Sequence, residues 1–584
     1  MSTTRPAREG ERGERGALRR DGPRPGLPRE GLGVALLLAL HAALAVWGAA
    51  RNSVTFDENF HLPAGVAIVA CGDWTASVAQ PPLVKTLCAL PALALGARPP
   101  SRAALAQGDE MTAGESFMRA NAGRYYALFF AARMVVVTLS VLLGLLVWWW
   151  ARRLSGTRGG LLTLALYALA PEALAHAGLV GMDLATGLAF TAVLAAFWRF
   201  CATGTWRWWL WTALAVAAAF LTRFSAVQLV PILVLLAAIG TVARRLARPG
   251  RVWLGLVLLA PVVVLALDLG YGWHVWTGPW AALPFRSEAF RHLAQIWPAL
   301  RFPLPTEYLG GLDYIALISQ AGGTHTYLLG RILGAGPWYY FPLALLFKWP
   351  LGFLGVVALT IAASAARRDA RRDRWDEAFL LLPAAAMLGA AMLASTLGVG
   401  IRYLFPLLPL LCVWAGGLMI ESRQALRTSW WARGAVALAL LQAIETGLAA
   451  PWYLSFFNWP AGGPGGGYRL VNDSNVDWGQ GLIALRDEMR KRGIERIHLA
   501  YHGTTDPAVY GIDYVPYLGG TPGPESEWLA VSSYYFVGLY QRMVTPRGRT
   551  PTIHLDFARL WDVPPEARLG GSIYLYRTSA SGGR

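Results

Sequence analysis

The sequence predicts an all-α polytopic membrane protein with a small C-terminal α/β domain, and two observations carry this prediction. Apolar residues make up 55% of the 584-residue chain and charged residues only 15%, whereas soluble proteins hold about 25% charged residues. The apolar residues also form runs near the ~20 residues that a membrane-spanning helix needs. Disordered, collagen-like and disulfide-stapled classes are excluded, because the chain holds 26 Trp and only 4 Cys.

Apolar runs along the first 450 residues predict about eleven spanning helices. We expect these helices near 31–50, 127–150, 159–175, 184–202, 207–222, 225–242, 252–270, 338–364, 377–397, 403–420 and 431–450.

Charge sets the predicted orientation. The net charge of +17 comes from arginine clusters in alternate short loops between apolar runs, which is a positive-inside pattern and not a nucleic-acid-binding surface. The Arg- and Pro-rich stretch 1–30 is predicted to be a disordered basic tail in the cytoplasm. Eleven spans from a cytoplasmic start place the C-terminus outside, so we expect a multi-pass membrane protein.

We therefore divide the chain into the tail 1–30, a membrane domain at 31–450 with long outer loops at 51–126 and 271–337, and an extracytoplasmic α/β domain at 451–584. A Gly/Pro-rich stretch at 462–467 is expected to act as a hinge. The acids Asp473 and Asp477, together with Asn475, are capping candidates just before a predicted helix start. Behind them, a helix is predicted at 478–492 and strands at 495–501, 527–535 and 572–577.

Two acids open the first outer loop, in the run Thr55-Phe56-Asp57-Glu58-Asn59-Phe60-His61. Paired acids at a membrane surface can bind a cation or accept a proton from an attacking hydroxyl. The alternative is that Asp57 caps an interfacial helix while Glu58 is solvated.

The same loop presents a lysine after a rigid step, in Gln80-Pro81-Pro82-Leu83-Val84-Lys85. The chain contains only three lysines, and a compact ammonium suits phosphate. Retention of Lys85 in an arginine-rich chain favours a functional role over snorkelling towards lipid headgroups.

Three further charges lie at predicted outer ends of spans. Asp183 starts the fourth span, and Arg223 and Arg402 occur against the positive-inside bias. The arginines could neutralise a substrate phosphate by bidentate contacts. The alternatives are that Asp183 caps a helix or pairs with an arginine, and that the arginines snorkel or pair with Asp183.

Metal and disulfide sites gain little support from the sequence. His325 stands alone in the second outer loop, and no His/Asp/Glu set has a recognisable coordination spacing. No metal ligand is assigned; a cofactor is not established, and a divalent cation remains open. Cys71 and Cys88 could pair, but two unrelated thiols are favoured.

Together these residues resemble glycosyltransferase family 39 of the GT-C superfamily, which includes protein O-mannosyltransferases and the lipid A aminoarabinose transferase. The resemblance spans about 51–580 and implies that the protein lies in a bacterial plasma membrane. It is carried by the acid pair, the Pro-Pro-Leu-x-Lys step and the Asp after the third span. Further motifs along the chain resemble those of bacterial members of the family. They are Trp338-Tyr339-Tyr340-Phe341-Pro342, Lys348, Gly400-Ile401-Arg402-Tyr403, Pro406-Leu407-Leu408-Pro409, Asp473-Ser474-Asn475-Val476-Asp477-Trp478-Gly479-Gln480, Asp506-Pro507 and Tyr510-Gly511.

The resemblance implies an inverting transfer of mannose or another hexose or pentose. The donor would be a polyprenyl-phosphate sugar, and the acceptor a hydroxyl of a protein, lipid or polysaccharide outside the cytoplasm. Asp57 would be the general base or acceptor-positioning residue, supported by Glu58. The donor phosphate would be held by Lys85, Arg223 and Arg402. Substrate contacts are expected from Gln80, Asp183, His325 and Tyr403.

The sequence departs from the family pattern at two of these positions. Many relatives have His where Gln80 stands, and many have His where Tyr403 stands. These departures bear on donor specificity and metal use. Two alternatives from other classes remain, a lipid or lipid-linked sugar transporter and a non-catalytic envelope assembly factor. A transporter would place its charges near the midplane on broken helices, whereas these charges are predicted at outer ends.

Overall fold

The computed structural model describes residues 28–301, 303–320, 326–366, 373–394, 398, 400–420, 430–517, 522–523, 525–539, 544–545, 548–549, 557, 560–561 and 563–578. The predicted N-terminal tail at 1–30 lies outside these residues except for its last three positions. The described chain is mainly helical up to residue 449, and a sheet follows in the C-terminal part.

Eleven helices form the first half of the described chain. They are α1 (Pro28–Arg51), α2 (Glu58–Cys71), α3 (Leu83–Ala94), α4 (Arg102–Leu105), α5 (Glu110–Asn121), α6 (Tyr125–Ala168), α7 (Pro171–Ala177), α8 (Asp183–Thr203), α9 (Trp206–Thr222), α10 (Leu229–Val242) and α11 (Pro249–Gly270).

Ten helices follow in the second half, three of them in the C-terminal region. They are α12 (Glu288–Ile296), α13 (Thr306–Gln320), α14 (Tyr340–Lys348), α15 (Leu351–Ala366), α16 (Arg374–Ala394), α17 (Leu407–Ala415), α18 (Trp430–Ala449), α19 (Gly463–Gly466), α20 (Leu482–Arg492) and α21 (Ser533–Phe536).

Strands within residues 271–337 have two or three residues, and those of the C-terminal region have two to five. They are β1 (Val275–Trp276), β2 (Leu304–Pro305), β3 (Thr326–Leu328), β4 (Arg331–Leu333), β5 (Arg496–Ala500), β6 (Asp513–Pro516), β7 (Trp528–Ser532), β8 (Val544–Thr545), β9 (Gly548–Arg549), β10 (Ala567–Leu569) and β11 (Ile573–Arg577).

The polytopic helical fold predicted from composition is confirmed. Among the described residues, seven helices are long and apolar enough to cross a membrane, or eight if the bent pair α14 and α15 is one span. This is fewer than the eleven predicted runs, although each of those runs overlaps helical structure in the described residues. The runs 127–150 and 159–175 are joined in α6, which breaks at Gly156 (φ 77°). Helix α9 has only 17 residues, and the run 403–420 contains the short helix α17.

The C-terminal region is a small mixed sheet with a helix against it, as predicted. The strand order is β10-β11-β7-β5-β6, with β5 parallel to both β6 and β7 and the remaining pairs antiparallel. Helix α20 buries Leu482, Leu485 and Met489 against this sheet. Strands β6 and β10 were not predicted. They are short, and β6 is mostly exposed or half-buried, so neither shows a strong apolar signal.

The C-terminal sheet packs directly on the membrane helices. One continuous apolar core runs from Ala45 in α1 to Tyr576 in β11. The predicted hinge at 462–467 is instead the short helix α19 and a following turn, in which Gly463 and Gly467 are buried. At Gly467 a Cβ would lie 2.0 Å from the Phe457 ring, so this glycine allows close packing.

Candidate active site at the helix ends

Asp57 lies at the start of α2, but its side chain does not cap the helix. The backbone carbonyl of Asp57 accepts from the N–H groups of Phe60 and His61, while the carboxylate makes no capping hydrogen bond. Oδ2 instead accepts from the Arg402 guanidinium at 2.8 Å, across 345 positions of sequence. About a quarter of the Asp57 side chain stays exposed. The alternative role of Asp57 as a simple helix cap is therefore wrong.

Glu58 is buried, and its carboxylate binds several elements that surround Asp57. Its carboxylate binds the Arg133 guanidinium through two hydrogen bonds of 2.9 and 2.7 Å, and both side chains are at most 1% exposed. It also accepts from the Thr55 and Val180 backbone N–H groups. The alternative of a solvated Glu58 is wrong, and its support of Asp57 in catalysis stays a prediction.

Arg133 completes this buried contact with its remaining donors. Its guanidinium donates to the backbone carbonyls of Ala49, Asn52 and Ser53. All five N–H groups of the side chain are thus used. The Glu58–Arg133 pair connects α6 to the end of α1, the first outer loop and the turn before α8.

Asp183, Arg223 and Arg402 form one charged cluster with Asp57. Asp183 starts α8, where an acid is favoured by the helix dipole. Its carboxylate binds Arg223, and its second oxygen lies 3.7 Å from Arg402. The alternative in which Asp183 pairs with an arginine is present in the structure, and its contact with substrate stays a prediction. His176 approaches Asp183 at 3.8 Å.

Backbone breaks deliver both arginines to this cluster. Helix α9 ends at Thr222, and Arg223 takes an extended conformation (φ −152°, ψ 141°) that directs it out of the helix. Arg402 lies in a 3-10 turn at Ile401–Leu404 that begins after Gly400, whose φ of 115° favours glycine. Each charge therefore sits at a helix end, as predicted, and not in the middle of a span.

Aromatic rings frame the two guanidinium groups. The Tyr403 ring lies 4.6 Å from the Arg223 guanidinium carbon and 5.3 Å from that of Arg402. Trp478 covers Arg402 at 4.2 Å. Such contacts keep a guanidinium planar and oriented while its edge donors stay available. Tyr403 is 40% exposed, so it lines the open side of the cluster.

A loop of the C-terminal region, residues 472–480, forms part of the site. The Phe56 N–H donates to the Trp478 carbonyl at 2.8 Å, and the Ser53 N–H donates to the Gln480 carbonyl at 3.0 Å. From the other side, the Lys348 ammonium donates to the carbonyls of Leu454 and Asn475. The loop is therefore held between the first outer loop and α14.

Lys85 lies near the cluster, but its ammonium faces the protein. Nζ donates to the Ser77 carbonyl, the Ser77 hydroxyl and the Gln80 carbonyl at 2.7 to 3.1 Å. These contacts use its three N–H donors and fix the turn before α3. Burial lowers the pKa of Lys85 to about 8. Phosphate contact by Lys85 stays a prediction, and in this structure the lysine positions Gln80.

Two buried imidazoles lie beside Asp57. His61 follows Asp57 by four residues on α2, and burial lowers its pKa to about 4. His502 stacks on Tyr534 at 3.7 Å and on Phe56 at 5.4 Å, and burial lowers its pKa to about 3. Burial therefore favours the neutral form of both rings. Within the described chain, Nδ1 of each ring has no hydrogen-bond partner.

Unused polar atoms show where a ligand would find partners. Among the described residues, Nε of Arg402 and Oε1 of Gln80 are buried without hydrogen-bond partners. Because buried polar atoms are normally paired, such groups mark places for a bound molecule or water. One buried donor thus remains on the arginine that already holds Asp57.

Some predicted residues do not enter this geometry. His325 lies outside the described residues. In the described part of the chain, no group of three or more His, Cys, Asp or Glu side chains is arranged to hold a metal ion. Cys71 and Cys88 are both free.

Sequence reasoning missed His61, His176, His502 and the position of Asp473. The four-residue spacing of Asp57 and His61 on one helix would have indicated the first of these. His502 reaches the cluster only through tertiary packing.

The chain is similar to known proteins both in sequence and in structure. Residues 127–267 match the family model described as dolichyl-phosphate-mannose-protein mannosyltransferase. No curated protein matches the sequence. ArnT from Cupriavidus metallidurans bound to undecaprenyl phosphate is similar with a TM-score of 0.45 and 18% identity, over 72% of this chain and 64% of ArnT. The present chain therefore spans less than two thirds of ArnT.

One eukaryotic and one archaeal structure are also similar. The Pmt1-Pmt2 complex of S. cerevisiae bound to the sugar donor gives a TM-score of 0.31 and 20% identity, over 43% of this chain and 33% of that chain. The oligosaccharyltransferase AglB of Archaeoglobus fulgidus, in complex with an inhibitory peptide and a dolichol-phosphate, gives a TM-score of 0.46 and 12% identity. The similarity covers 93% of this chain and 76% of that chain.

The family match runs from α6 to α11 and includes Asp183 and Arg223. Over these residues the chain matches the family model of the dolichyl-phosphate-mannose-protein mannosyltransferases, which confirms the predicted resemblance to protein O-mannosyltransferases in this part.

Proposed function

We propose that the protein is an inverting glycosyltransferase that moves a sugar from a polyprenyl-phosphate donor to an acceptor hydroxyl outside the cytoplasm. The sugar would be mannose or another hexose or pentose, and the acceptor a protein, a lipid or a polysaccharide. The observation that carries the proposal is the cluster of two arginines and two carboxylates at helix ends, with one buried Arg402 donor unpaired among the described residues. The family match over 127–267 supports a sugar–lipid donor.

The donor would enter with its lipid tail among the spanning helices and its phosphate at the cluster. Arg223 and Arg402 are the cations that form this cluster, and Nε of Arg402 is available as a donor. Charge on the phosphate increases as the bond to the sugar breaks, so preoriented guanidinium groups would stabilise the leaving group most at that step. Tyr403 and Trp478 keep these groups in place.

The acceptor hydroxyl would meet the carboxylate side of the cluster. Asp57 is a quarter exposed and would orient the hydroxyl or take its proton. Asp183 is almost fully buried and bound to Arg223, so it would set the position and charge of that arginine. Gln80, whose side-chain oxygen has no partner in the described part of the chain, would contact the sugar or the acceptor.

A lipid or lipid-linked sugar transporter is the main alternative. Such a protein would move the intact donor between leaflets and would release no free lipid phosphate. The experiment is therefore an assay of purified protein in proteoliposomes, with undecaprenyl-phosphate mannose and an undecaprenyl-phosphate pentose as donors and heat-treated membrane extract as the source of acceptor hydroxyls. Release of undecaprenyl phosphate is measured for the wild type and for Asp57→Asn, with Asp487→Asn as a control at an exposed acid of α20.

We expect the wild type to release undecaprenyl phosphate and Asp57→Asn to lose about 100-fold or more of that rate, because positioned acids and bases contribute about 10²–10⁴-fold. The control should match the wild type. Donor that crosses the bilayer intact, at equal rates in all three proteins, would contradict the proposal and favour the transporter.

A further inference from the structure

The loop at 472–480 is built so that almost every polar side chain has a structural task. Asn472 donates to the Ser533 carbonyl. Asn475 accepts from the Ile401 N–H and donates to Tyr340. Asp477 accepts from the Gly479 N–H, and Gln480 accepts from the Trp478 N–H. These contacts fix the loop against the membrane domain at the level of Arg402.

Asp473 is the exception in this loop. In the described structure its carboxylate accepts only from Ser474, its own neighbour, and forms no ion pair. It differs in this from Asp57 and Asp183, which are both bound to arginines. The residue is also partly exposed, whereas Asp477 is fully buried. Asp473 thus presents the unpaired carboxylate of the loop.

The backbone at Asp473 is held in an uncommon conformation. Its φ of 63° lies in the left-handed region, which non-glycine residues adopt rarely and keep where the surroundings enforce it. Contacts of the residues on either side of Asp473 hold this conformation. Asn472 accepts the Asp473 N–H through its side chain at 2.8 Å, and Ser474 packs on Gly400, where a Cβ would lie 2.7 Å from the Ser474 hydroxyl.

This conformation brings Asp473 to the charged cluster. Gly400 directly precedes the turn that carries Arg402, and Asn475 binds the N–H of Ile401 in that turn. The charges of both Arg402 and Asp57 act on Asp473. A second carboxylate, from the C-terminal region, therefore lies near the turn that carries Arg402.

We propose that Asp473 is the catalytic base that takes the proton of the acceptor hydroxyl, while Asp57, bound to Arg402, orients that hydroxyl. This inference rests on the proposed function. The acceptor oxygen forms a bond to the anomeric carbon, and the bond from that carbon to the phosphate oxygen breaks. The acceptor proton passes to Asp473, and the polyprenyl phosphate leaves with the bonding electrons and the negative charge beside Arg223 and Arg402.

The chemistry of the two carboxylates supports Asp473 as the base and Asp57 as the residue that orients the hydroxyl. Asp57 already accepts from a guanidinium at 2.8 Å, so one of its oxygens is occupied. Burial raises the pKa of Asp473 to about 6, nearer to neutral pH than a solvated aspartate. A base with a pKa near the working pH is more effective than a weaker one. The capping role predicted for Asp477 is replaced by contacts to Gly479 and Tyr534, and helix α20 begins after Gly481.

The test compares Asp473→Asn and Asp473→Gly with the wild type and with Asp487→Asn. Asparagine and glycine both tolerate the left-handed region, so these variants should keep the loop conformation. Release of undecaprenyl phosphate and binding of undecaprenyl phosphate are measured on equal amounts of folded protein. We expect a fall in kcat of about 10²–10⁴-fold with donor binding changed less than about 2-fold.

Formate distinguishes a base from a purely structural residue. Glycine at position 473 leaves room for a small carboxylate, so added formate should restore several-fold of the rate of Asp473→Gly and leave the wild type unchanged. Turnover within about 2-fold of the wild type in either variant would overturn the inference. So would loss of turnover in Asp473→Gly that formate does not restore. A wild type without turnover would instead refute the proposed function itself.

Discussion

Arg402 joins two carboxylates that lie far apart in the sequence. It binds Asp57 from the first outer loop and approaches Asp183 at the start of α8. The sequence indicated these residues through their unusual position at predicted outer ends of spans. It left open whether Asp183 and the arginines were paired or exposed to substrate, and the structure shows that a paired cluster still leaves Asp57 and Tyr403 accessible.

The residues that sequence reasoning could not place are those brought in by tertiary packing. Contacts across 345 positions, such as Asp57 to Arg402, leave no local periodicity. Asp473 was predicted as a capping acid because its local pattern of small polar residues is typical of helix starts. Its left-handed backbone depends on Gly400 and Asn472, which only the structure brings together.

The first prediction at the residue scale concerns Glu58 and Arg133. Glu58→Gln should lower the free energy of unfolding by about 3–5 kcal/mol, because it leaves a buried guanidinium without its counter-charge. The measurement is thermal unfolding in detergent. Glu488→Gln, at the α20 pair with Arg492, is the control and should change stability by about 0–1 kcal/mol. Equal effects of the two substitutions would show that the buried pair is not important for stability.

The second residue-scale prediction is a pH dependence. The pKa of Asp473 is raised by burial to about 6, and the active form of a base is the carboxylate, so the transfer rate should fall as the pH drops through about 6. The groups facing Asp473 are Ser474, Arg402, Asp57, Asp477, Tyr340 and Tyr534.

Stability should change in the opposite sense to activity. A folded pKa above that of the unfolded chain favours folding of the protonated form, so this contribution is present at low pH and lost as the pH rises through about 6. Burial also raises the pKa of Asp477, to about 7, so the rate profile of Asp477→Asn is the control. If the fall in transfer rate at low pH disappears in Asp477→Asn, the group that titrates is Asp477 and not Asp473.

At the element scale, the apolar runs predicted the helices well, because hydrophobic length is a local property of the chain. Their number as separate spans was less predictable. Helix α6 continues past a break at Gly156, and α14 meets α15 at 115°. Both features are set by packing and by single glycines or prolines at the breaks, which composition does not report.

The third prediction tests the close approach of α2 and α3. At Gly65 a Cβ would lie 2.0 Å from the Lys85 carbonyl oxygen, so the two helices can meet only because this residue is glycine. Gly65→Ala should destabilise the protein by about 1–3 kcal/mol through overpacking. It should also displace the turn that carries Gln80.

Gly447 in α18 provides a matched control. A Cβ added at this position would meet no atom of the described residues within 4 Å, so Gly447→Ala should be neutral or should stabilise by up to about 1 kcal/mol. Thermal unfolding of both variants is the measurement. If Gly447→Ala lowered the stability as much as Gly65→Ala, the loss at position 65 would not be due to the close approach of α2 and α3.

At the scale of the whole molecule, the sequence predicted a helical membrane part followed by a small sheet, and both are present. The close contact between them was not predicted, since a Gly-rich stretch suggested a hinge. Lys348, one of three lysines, donates to carbonyls of the C-terminal region from α14. Because these bonds join the two parts beside Arg402, the C-terminal region completes the site.

The fourth prediction concerns orientation in the membrane. The arginine-rich segment between α15 and α16 should face the cytoplasm and the C-terminus should face the opposite side, because positive residues concentrate in cytoplasmic loops. Reporter fusions at residue 370 and at the C-terminus measure this directly. Both reporters in the same compartment would contradict the orientation.

The most direct test of the central claim is whether Arg223 and Arg402 hold a lipid phosphate. The measurement is native mass spectrometry of undecaprenyl phosphate binding to the purified protein, and it requires no knowledge of sugar or acceptor. Arg223→Gln and Arg402→Gln should each weaken binding about 10-fold or more, since charge-assisted hydrogen bonds to ionised groups contribute about 1.5–3 kcal/mol each. The control is Arg577→Gln, which should bind like the wild type. Arg577 lies on β11, pairs with Glu527 and lies 5.7 Å from the centre of the Trp528 ring. Equal binding by all four proteins would contradict the assignment of the cluster as the donor phosphate site.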